Sequence, residues 1–378
     1  MSALAAIPLL IWCYLLVGRG RFWRTDIRLP DKPAPARWPG VVVIVPARDE
    51  ADILSVTLPT LLAQDYPGSV RVILVDDNSS DDTGRVALRC HRDGSGIPLS
   101  VLQGSERPSG WAGKLWALHQ GVAAARTDPA SEWLLLTDAD IAHEPDSLRR
   151  LVALAQADGL DSVSLMARLR VASAWERLIV PAFVYLFAEL YPFALVNRPR
   201  SPVAAAAGGC VLVRSTALAG AGGIESVRGA VIDDVALAKA LKSSGARVWL
   251  GLAEGVRSAR PYPRLRDLWD MVARSAFTQL RYSLVLLGVT LGGLALVFLG
   301  PPGALAGGLA TGNLLVAALG AAAWAVMTAT YVPMLRYYGC SPWRAITLPL
   351  VATLYGGMTL SSALRHYRGG VTWKGRRY

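Results

Sequence analysis

The most constraining feature of the sequence is an apolar stretch near its carboxyl end. From Leu284 to Ala363, 80 residues include only two charged side chains, Arg336 and Arg344. A segment this long and apolar lies in lipid or inside a helical bundle. We therefore predict transmembrane helices over residues 284–365. The expected spans are Leu284–Gly300, Asn313–Leu335 and Ala345–Leu364, separated by Pro301–Pro302–Gly303 and by the Arg336–Arg344 turn.

A shorter apolar run, Ala3–Val17, opens the chain. No basic residue precedes it, whereas Arg19, Arg21 and Arg24 follow it. A cleaved signal peptide has the opposite polarity and ends at a small-residue cleavage site. Residues 1–20 are therefore predicted to be an uncleaved membrane anchor, although about 15 apolar residues are few for a full span.

The positive-inside rule predicts that the residues after Arg19 are cytosolic. The protein is then a multi-pass protein of the inner (plasma) membrane with a cytoplasmic catalytic domain. The basic tail, residues 366–378, also fits the cytosol, yet three C-terminal spans would place it outside. Either one segment is re-entrant or the number of spans differs by one.

The composition excludes several classes of protein. Apolar residues make up 53% of the chain and its mean hydropathy is +0.35, which excludes intrinsic disorder. The four cysteines are scattered without a CxxC pair, which argues against a disulfide framework and structural zinc. The net charge of +11 is typical of a membrane protein that meets anionic headgroups or a phosphorylated substrate. No motif that reads RNA or DNA accompanies it.

Residues 38–262 alternate between short β-branched or apolar runs and helical stretches, which predicts an α/β domain with a mostly parallel, doubly wound sheet. Acidic clusters follow two of the expected strands, and in such sheets ligands bind beyond the carboxyl ends of the strands. The expected strands are Val41–Val45, Val70–Val75, Leu99–Leu102, Trp133–Thr137 and Ser162–Ala167.

Asp138 and Asp140 follow the expected strand that ends at Thr137. Two carboxylates two residues apart can reach one hard cation, and magnesium or manganese held by carboxylates and substrate phosphates suits this arrangement. The alternative is that Asp140 caps a helix beginning near Pro145.

The pair Asp76–Asp77 lies in a turn rich in Asp, Asn and Ser, and the turn itself explains both residues well. One of the two carboxylates could instead accept hydrogen bonds from a nucleobase or a ribose. Lys114 begins a helical run after Gly110–Gly113 and could hold a phosphate near a helix N-terminus, or could be a snorkelling surface lysine.

The pair Asp233–Asp234 opens another helical pattern, where one aspartate could be the N-cap. The alternative is a general base whose pKa is raised by its charged neighbour. Residues 263–283 mix aromatic and basic side chains, which predicts an amphipathic segment at a membrane surface, with Arg274 and Arg281 as candidates to face a diphosphate.

Taken in order, these motifs resemble the family 2 inverting glycosyltransferases. The resemblance covers about residues 40–285. Its motifs are Val43–Glu50, Val75–Ser79, Gly113–Lys114, Thr137–Asp140 and Asp233–Asp234. The phrases Gly110–Ala117, Ala204–Gly209 and Ala276–Tyr282 further resemble the hopene-associated (hopanoid biosynthesis) subgroup.

This resemblance implies a GT-A (Rossmann-like) fold, a nucleotide-sugar donor and a divalent cation, either magnesium or manganese. Asp77 would contact the base, Asp49 and Glu50 would lie near the nucleoside, and Asp140 would meet the metal. Asp234 would be the general base, with Asp233 as its charged neighbour. The donor-binding residues implied are Pro46, Asp49, Glu50, Asp77, Lys114, Asp138 and Arg281. One departure is the Q/R-x-x-R-W signature of related synthases, which here reads Thr278, Arg281 and Tyr282.

The leading hypothesis is a membrane-bound enzyme that transfers one sugar to a lipid acceptor, hopanoid-associated or related, and that does not bind nucleic acid. One alternative is a polyprenyl-phosphate glycosyltransferase. Another is a non-catalytic scaffold for hopanoid enzymes at the membrane.

Overall fold

The structure is a computed structural model that describes residues 2–92, 96–128 and 131–368, and the backbone of Thr372–Trp373 and Arg376–Arg377. The remainder of the basic tail, including Lys374, lies outside the described residues. The chain divides into two compact units. Residues 27–170 and 195–261 form one, called the sheet unit below. Residues 1–26, 171–194 and 262–378 form the other, called the helical unit.

The sheet unit is built on eight strands. In chain order they are β1 (Val41–Ala47), β2 (Val70–Asp76), β3 (Leu99–Gln103), β4 (Trp133–Thr137), β5 (Ile141–His143), β6 (Ser162–Arg168), β7 (Cys210–Arg214) and β8 (Val248–Ser258). Their order across the sheet is β3-β2-β1-β4-β7-β6-β8-β5. β3, β2, β1 and β4 are parallel neighbours, β6 pairs parallel with β8, and β7 and β5 pair antiparallel with their neighbours.

The helices lie between and after these strands. They are α1 (Ser2–Val17), α2 (Ala51–Leu62), α3 (Thr83–Arg92), α4 (Gly113–Ala125), α5 (Ser147–Ala157), α6 (Ala174–Leu190), α7 (Phe193–Val196), α8 (Ser215–Gly220), α9 (Asp233–Ser243), α10 (Leu265–Ala273), α11 (Ala276–Gln279), α12 (Leu284–Leu294), α13 (Gly300–Ala310), α14 (Leu314–Tyr337) and α15 (Leu348–Tyr367). Ile224–Val227 and Pro342–Thr347 are 3₁₀ turns, and Ala295–Leu299 is a π segment.

The five expected strands are confirmed as β1, β2, β3, β4 and β6. β1 and β4 are buried along nearly their whole length, as continuous apolar runs require. The sequence did not predict β5, β7 and β8. β5 has only three residues, and β8 is interrupted by Gly251 and Gly255, so neither carries a clear strand pattern. The fold is the expected α/β sheet with mixed strand directions.

The register of the parallel strands decides where the acidic motifs lie. Ala47 at the end of β1 pairs with Asp76 at the end of β2, and β4 runs parallel to β1 on its other side. The residues that follow these three strands therefore share one edge of the sheet. Helix α4 packs closely behind this edge, since a Cβ added at Gly121 would lie 2.4 Å from Ile44 Cγ2.

Four helices in the described part of the chain are long and apolar enough to cross a membrane. They are Ala174–Val196, Leu284–Ala310, Leu314–Tyr337 and Pro342–Tyr367. The predicted break at Pro301–Pro302–Gly303 is wrong, because the helix continues from residue 284 to residue 310. Both prolines stand in the first turn after the π segment, where their missing N–H groups cost little.

The helix over Ala174–Val196 was not predicted as a span. Its position between two paired strands determines whether it can cross a membrane. It connects β6 to β7, and these strands pair with each other in one sheet. A single crossing would leave the paired strands on opposite sides of a membrane. The helix must therefore begin and end on the same side.

Close packing of small residues joins the helix Leu284–Ala310 to the helix Leu314–Tyr337. A Cβ added at Gly308 would lie 2.3 Å from the backbone nitrogen of Ala317, and one at Gly320 would lie 2.4 Å from that of Leu305. Such close approach of backbones is typical of helix pairs in membranes. Leu284–Ala310 and Leu314–Tyr337 thus form an antiparallel hairpin.

Candidate functional site

Lys114 lies at the centre of an acidic cluster at the shared edge of the sheet. Its Nζ lies 2.8 Å from Asp138 Oδ1 and 3.0 Å from Asp233 Oδ2. Asp138 follows β4, Asp233 begins α9, and Lys114 is the second residue of α4. The interpretation of Lys114 as a snorkelling surface side chain is therefore wrong, since it joins three separate segments of the chain.

The electrostatic balance keeps this lysine charged. Burial by itself would lower the pKa of Lys114, but the negative charges of Asp138 and Asp233 outweigh burial and leave that pKa raised. Burial raises the pKa of Asp138 to about 6, although Lys114 opposes the rise. The cluster therefore holds a cationic lysine beside Asp138, whose carboxyl group has a raised pKa.

Asp234 is fixed by the backbone on both of its oxygens. Oδ2 accepts a hydrogen bond from Gly208 N at 3.0 Å, and Oδ1 accepts one from Val235 N at 2.8 Å. The N-cap position of α9 is Ile232, so the interpretation of this aspartate pair as an N-cap is wrong. Burial, followed by the charge of Asp233, raises the pKa of Asp234 to about 6, in the direction expected for a general base.

Asp140 does not cap a helix, because the N-cap of α5 is Asp146. Its Oδ2 instead accepts a hydrogen bond from Arg260 Nε at 2.9 Å. Nη2 of the same guanidinium donates to Glu50 Oε2. Arg260 thus joins Asp140, which the family resemblance assigns to the metal, to Glu50, which it assigns to the nucleoside.

A second group of polar residues follows β1 and β2. Asp49 has a left-handed backbone (φ 51°), and its Oδ1 accepts hydrogen bonds from Ser80 N and Oγ at 2.6 and 3.0 Å. Asp77 is buried, and its carbonyl accepts a hydrogen bond from Arg48 Nη1 at 2.6 Å. Asp76 Oδ1 accepts from Ser79 N at 3.0 Å, so for Asp76 the turn interpretation is correct. This turn holds the ends of the two strands together.

Pro46 lies inside β1 and pairs in register with Val75 of β2, two residues before Asp77. Arg281 is the one predicted site residue that belongs to the helical unit. It and Tyr282 are consecutive left-handed residues, with φ of 52° and 57°. The ring of Tyr282 stacks on His366 with centroids 4.5 Å apart.

The sequence does not predict two residues of the cluster, Gly208 and Arg260. Gly208 is only part of the family phrase Ala204–Gly209, and Arg260 lies in none of the motifs. No local pattern marks Arg260, because its position depends on the pairing of β5 with β8, which sets Ile141 opposite Ser258. Gly208 lies close to the cluster, since an added Cβ would lie 3.0 Å from Lys114 Nζ and would require a shift of that side chain.

Comparison with known proteins matches most of the sheet unit to a described family. Residues 42–219 match the family described as Glycosyl transferase family 2. Over this range, which is just under half of the chain, the sequence resembles a family 2 glycosyl transferase domain. The matched range includes Lys114, Asp138 and Asp140, whereas Asp233, Asp234 and Arg260 follow it in the sequence.

Two curated relatives match part of the chain. The succinoglycan biosynthesis protein ExoO of Rhizobium meliloti (strain 1021) is 33% identical over 167 residues, which cover 41% of this chain and 44% of the relative. An N-acetylglucosaminyltransferase of Mesorhizobium japonicum is 30% identical over 122 residues, covering 32% of this chain and 27% of the relative. Each match thus spans less than half of the relative's own length.

A solved structure shares the fold over nearly the whole chain. The mannosyltransferase PcManGT from Pyrobaculum calidifontis, in complex with GDP-Man and Mn²⁺, superposes with a TM-score of 0.53. The alignment covers 97% of this chain and 98% of that one, at 19% identity. The sheet unit therefore has the GT-A fold expected from the sequence.

The cluster also fits the divalent cation that this fold implies. Arg260 and Lys114 contact Glu50, Asp140, Asp138 and Asp233, and the charge of Asp234 also acts on Lys114, so five carboxylates face two cations. Carboxylate oxygens are the ligands that Mg²⁺ and Mn²⁺ prefer. Within residues 2–92, 96–128 and 131–368, no three His, Cys, Asp or Glu side chains are grouped to hold a metal alone. The remaining ligands would come from donor phosphates and water.

Proposed function

We propose that this protein is a glycosyltransferase that moves a sugar from a nucleotide-sugar donor to a hydroxyl of a lipid acceptor. The observation that carries the proposal is the contact of Lys114 with Asp138 and Asp233. It joins the strand-end carboxylates of the family 2 domain to the aspartate pair of α9. Donor and acceptor chemistry thereby share one edge of the sheet.

The donor lies along this edge, with its nucleoside on the turn after β1 and β2 and its diphosphate at the Lys114 cluster. Pro46, Asp49, Glu50 and Asp77 are the proposed nucleoside-side residues. Their support is the shared register of the two strand ends and the hydrogen bonds that link Asp49 to the following turn.

The diphosphate is bound by Lys114 and Asp138. Arg281 is a further diphosphate-binding residue that the family resemblance implies. Asp140 is the proposed protein ligand of the divalent cation. The cation, when bound, neutralises the charge that develops on the leaving nucleoside diphosphate. Without it, a doubly negative diphosphate would meet an excess of carboxylates.

Asp234 acts as the general base, and burial together with the charge of Asp233 raises its pKa. Asp234 takes the proton of the acceptor hydroxyl as that oxygen bonds to the anomeric carbon. The bond from that carbon to the diphosphate breaks in the same step, so the configuration inverts. The two backbone hydrogen bonds to Asp234 hold its carboxylate in one orientation before the acceptor arrives.

The lipid nature of the acceptor is supported by the apolar helices of the same chain. Leu284–Ala310 has a mean hydropathy of 2.2 and most of its side chains are exposed, as in a helix that faces lipid. An acceptor that is itself embedded in the membrane would reach the enzyme by lateral diffusion. The sequence phrases of the hopene-associated subgroup favour a hopanoid-type acceptor.

The protein would be a multi-pass protein of the inner membrane, and contacts inside the helical unit support one topology. Arg19, just after α1, donates a hydrogen bond to the carbonyl of Leu190 at 3.1 Å. Tyr191 bonds to Gln279, and Tyr282 stacks on His366. The end of α1, the start of α12 and the end of α15 therefore lie at one end of the helical unit.

The end of α14 lies at the same end, because Tyr331 packs against Tyr185, which in turn packs against Phe22, with ring centroids 5.1 Å apart in both pairs. Pro342–Tyr367 thus starts and finishes on one side and does not cross. In this topology α1 and the two helices of the hairpin cross the membrane. The basic residues after α1 and at the end of α15 are then cytosolic, and the outside loop Thr311–Asn313 carries no charge. This removes the contradiction over the basic tail.

The proposed domains are therefore an anchor over residues 1–20, a GT-A domain over 38–262, an interfacial segment over 263–283, membrane helices over 284–365 and a basic tail over 366–378. Residues 171–194, inside the range of the GT-A domain, pack with the membrane helices in the helical unit.

The experiment that tests the function is lipid profiling of cells with the wild-type gene, a deletion, Asp234→Asn and the control Asp158→Asn. Asp158 pairs with Lys32 at the surface of the same unit. Loss of one glycosylated lipid in the deletion and in Asp234→Asn, but not in the control, supports the proposal. A lost product that releases its sugar phosphate in acid would instead identify a polyprenyl-phosphate acceptor. Lipids that change in the deletion but not in Asp234→Asn would favour a scaffold.

A further inference from the structure

Arg260 links Asp140, the proposed metal ligand, to Glu50, which is proposed to lie on the nucleoside side. Its Nε donates to Asp140 Oδ2 at 2.9 Å and its Nη2 donates to Glu50 Oε2. The guanidinium carries five N–H groups, so these bonds leave Nη1 with its two hydrogens for a further partner. About a quarter of the side chain, 27%, is exposed, so a ligand can reach it.

The sheet fixes the position of this arginine. β5 follows Asp140 directly and pairs antiparallel with β8, whose last residue is Ser258. The backbone N–H of Ala259 then donates to the carbonyl of Asp140 at 2.8 Å. Arg260, two residues after the end of β8, is consequently held beside Asp140.

The charges around Arg260 would change when a divalent cation binds, and the side chain could then move. Burial would lower the pKa of Arg260, but the charges of Asp140 and Glu50 outweigh burial and leave its pKa raised, so the side chain stays cationic. A divalent cation that binds Asp140 competes with Arg260 for the same carboxylate, since like charges repel. Glu50 remains as the second anchor of the guanidinium.

We propose that Arg260 binds the diphosphate of the donor, and that it turns to this phosphate when the divalent cation takes Asp140. The inference rests on the proposed function and adds one phosphate-binding residue to it. A planar guanidinium suits phosphate because it can donate two parallel hydrogen bonds. Before the donor binds, the same group neutralises Asp140 and Glu50 and keeps their carboxylates in place.

The test uses the purified full-length protein and two titrations. Mn²⁺ alone is titrated by the loss of its free-ion paramagnetic resonance signal. UDP and GDP are titrated calorimetrically at saturating Mn²⁺. The variants are Arg260→Ala, Arg260→Lys and the control Arg257→Ala, which removes an arginine of the same segment whose partner is Glu144. Thermal unfolding of each variant shows whether it is folded.

For Arg260→Ala we expect opposite changes in the two titrations. Mn²⁺ alone binds at least as tightly as in the wild type, because a competitor for Asp140 is gone. The nucleoside diphosphate binds roughly ten- to hundredfold more weakly, which is the usual loss for a hydrogen bond to a charged group. Arg260→Lys keeps part of this affinity, and Arg257→Ala changes neither.

Unchanged diphosphate affinity in Arg260→Ala overturns the inference. A parallel loss of Mn²⁺ and diphosphate binding also overturns it, because Arg260 would then only hold the carboxylates in place. A wild-type protein that binds neither nucleotide would count against the proposed function itself, and the two failures are therefore distinguishable.

Discussion

Lys114 and Asp233 lie far apart in the sequence, yet Nζ of one is 3.0 Å from Oδ2 of the other. Lys114 stands in the first turn of α4 and Asp233 in the first turn of α9. Their contact fixes the start of α9, with Asp234, beside the carboxyl ends of the central strands. The positions proposed for the general base and for the diphosphate therefore both depend on one lysine.

Replacement of Lys114 by methionine should weaken both the fold and the donor site. Asp138 and Asp233 would lose their shared cation and repel each other, at a cost of about 1.5–3 kcal/mol for a charged hydrogen bond. We expect a lower thermal midpoint and a nucleoside diphosphate affinity reduced at least tenfold. Lys32→Met, which removes a surface lysine paired with Asp158, is the control. Equal behaviour of the two variants would contradict the central role of Lys114.

Asp234→Asn should separate binding from turnover. The amide keeps the size of the side chain but cannot take the proton of the acceptor, so the rate should fall by about 10²- to 10⁴-fold. Its NH2 group cannot accept a hydrogen bond, so the variant loses one of the two bonds from Gly208 N and Val235 N, and thermal unfolding shows whether it stays folded. Donor affinity should change little, because Asp138 and Lys114 remain. Single-turnover transfer and nucleotide calorimetry on the same preparation measure both quantities. Full activity in Asp234→Asn would mean that the base lies elsewhere.

The pH dependence follows from the raised pKa of Asp234, which is about 6 against an ordinary value near 3.8. A general base works only when deprotonated. Activity should therefore rise with pH through about 6 and level off above 7, rather than titrate near pH 4 as an ordinary aspartate would. The profile of kcat/KM at saturating metal measures this pKa. A profile that is flat between pH 5 and 7 would exclude Asp234 from this role.

Gly208→Ala should disturb the cluster by size alone. The new Cβ would lie 3.0 Å from Lys114 Nζ and 3.4 Å from Asp234 Cβ, so the lysine or the aspartate must shift. We expect a several-fold or greater loss of kcat with a small change in thermal midpoint. Gly220→Ala, where an added Cβ meets nothing within 4 Å, is the matched control. Activity equal to the control would show that the cluster tolerates the extra methyl group.

The sequence could predict the parts of this site that depend on local signals. Asp138 follows an uninterrupted apolar strand, and the turn after Val75 has its own composition, so both could be placed at strand ends. Arg260 could not be predicted, because it reaches Asp140 through the pairing of the short strand β5 with β8. The continuous helix through Pro301 could not be predicted either. No sequence pattern indicates the π segment Ala295–Leu299 that precedes the prolines.

The proposed topology predicts which loops are accessible from outside the cell. Thr311→Cys and Arg368→Cys are introduced one at a time into a chain whose four native cysteines are replaced by serine or alanine. A membrane-impermeant maleimide applied to intact cells should label residue 311, which lies between the two helices of the hairpin. Residue 368 should react only after the membrane is permeabilised, because Asp270 and Arg365, 2.7 Å apart, hold the end of α15 beside the segment that precedes α12. Labelling of residue 368 in intact cells would mean that Pro342–Tyr367 crosses the membrane, and the contacts among Gln279, Tyr191 and Arg19 would then need another explanation.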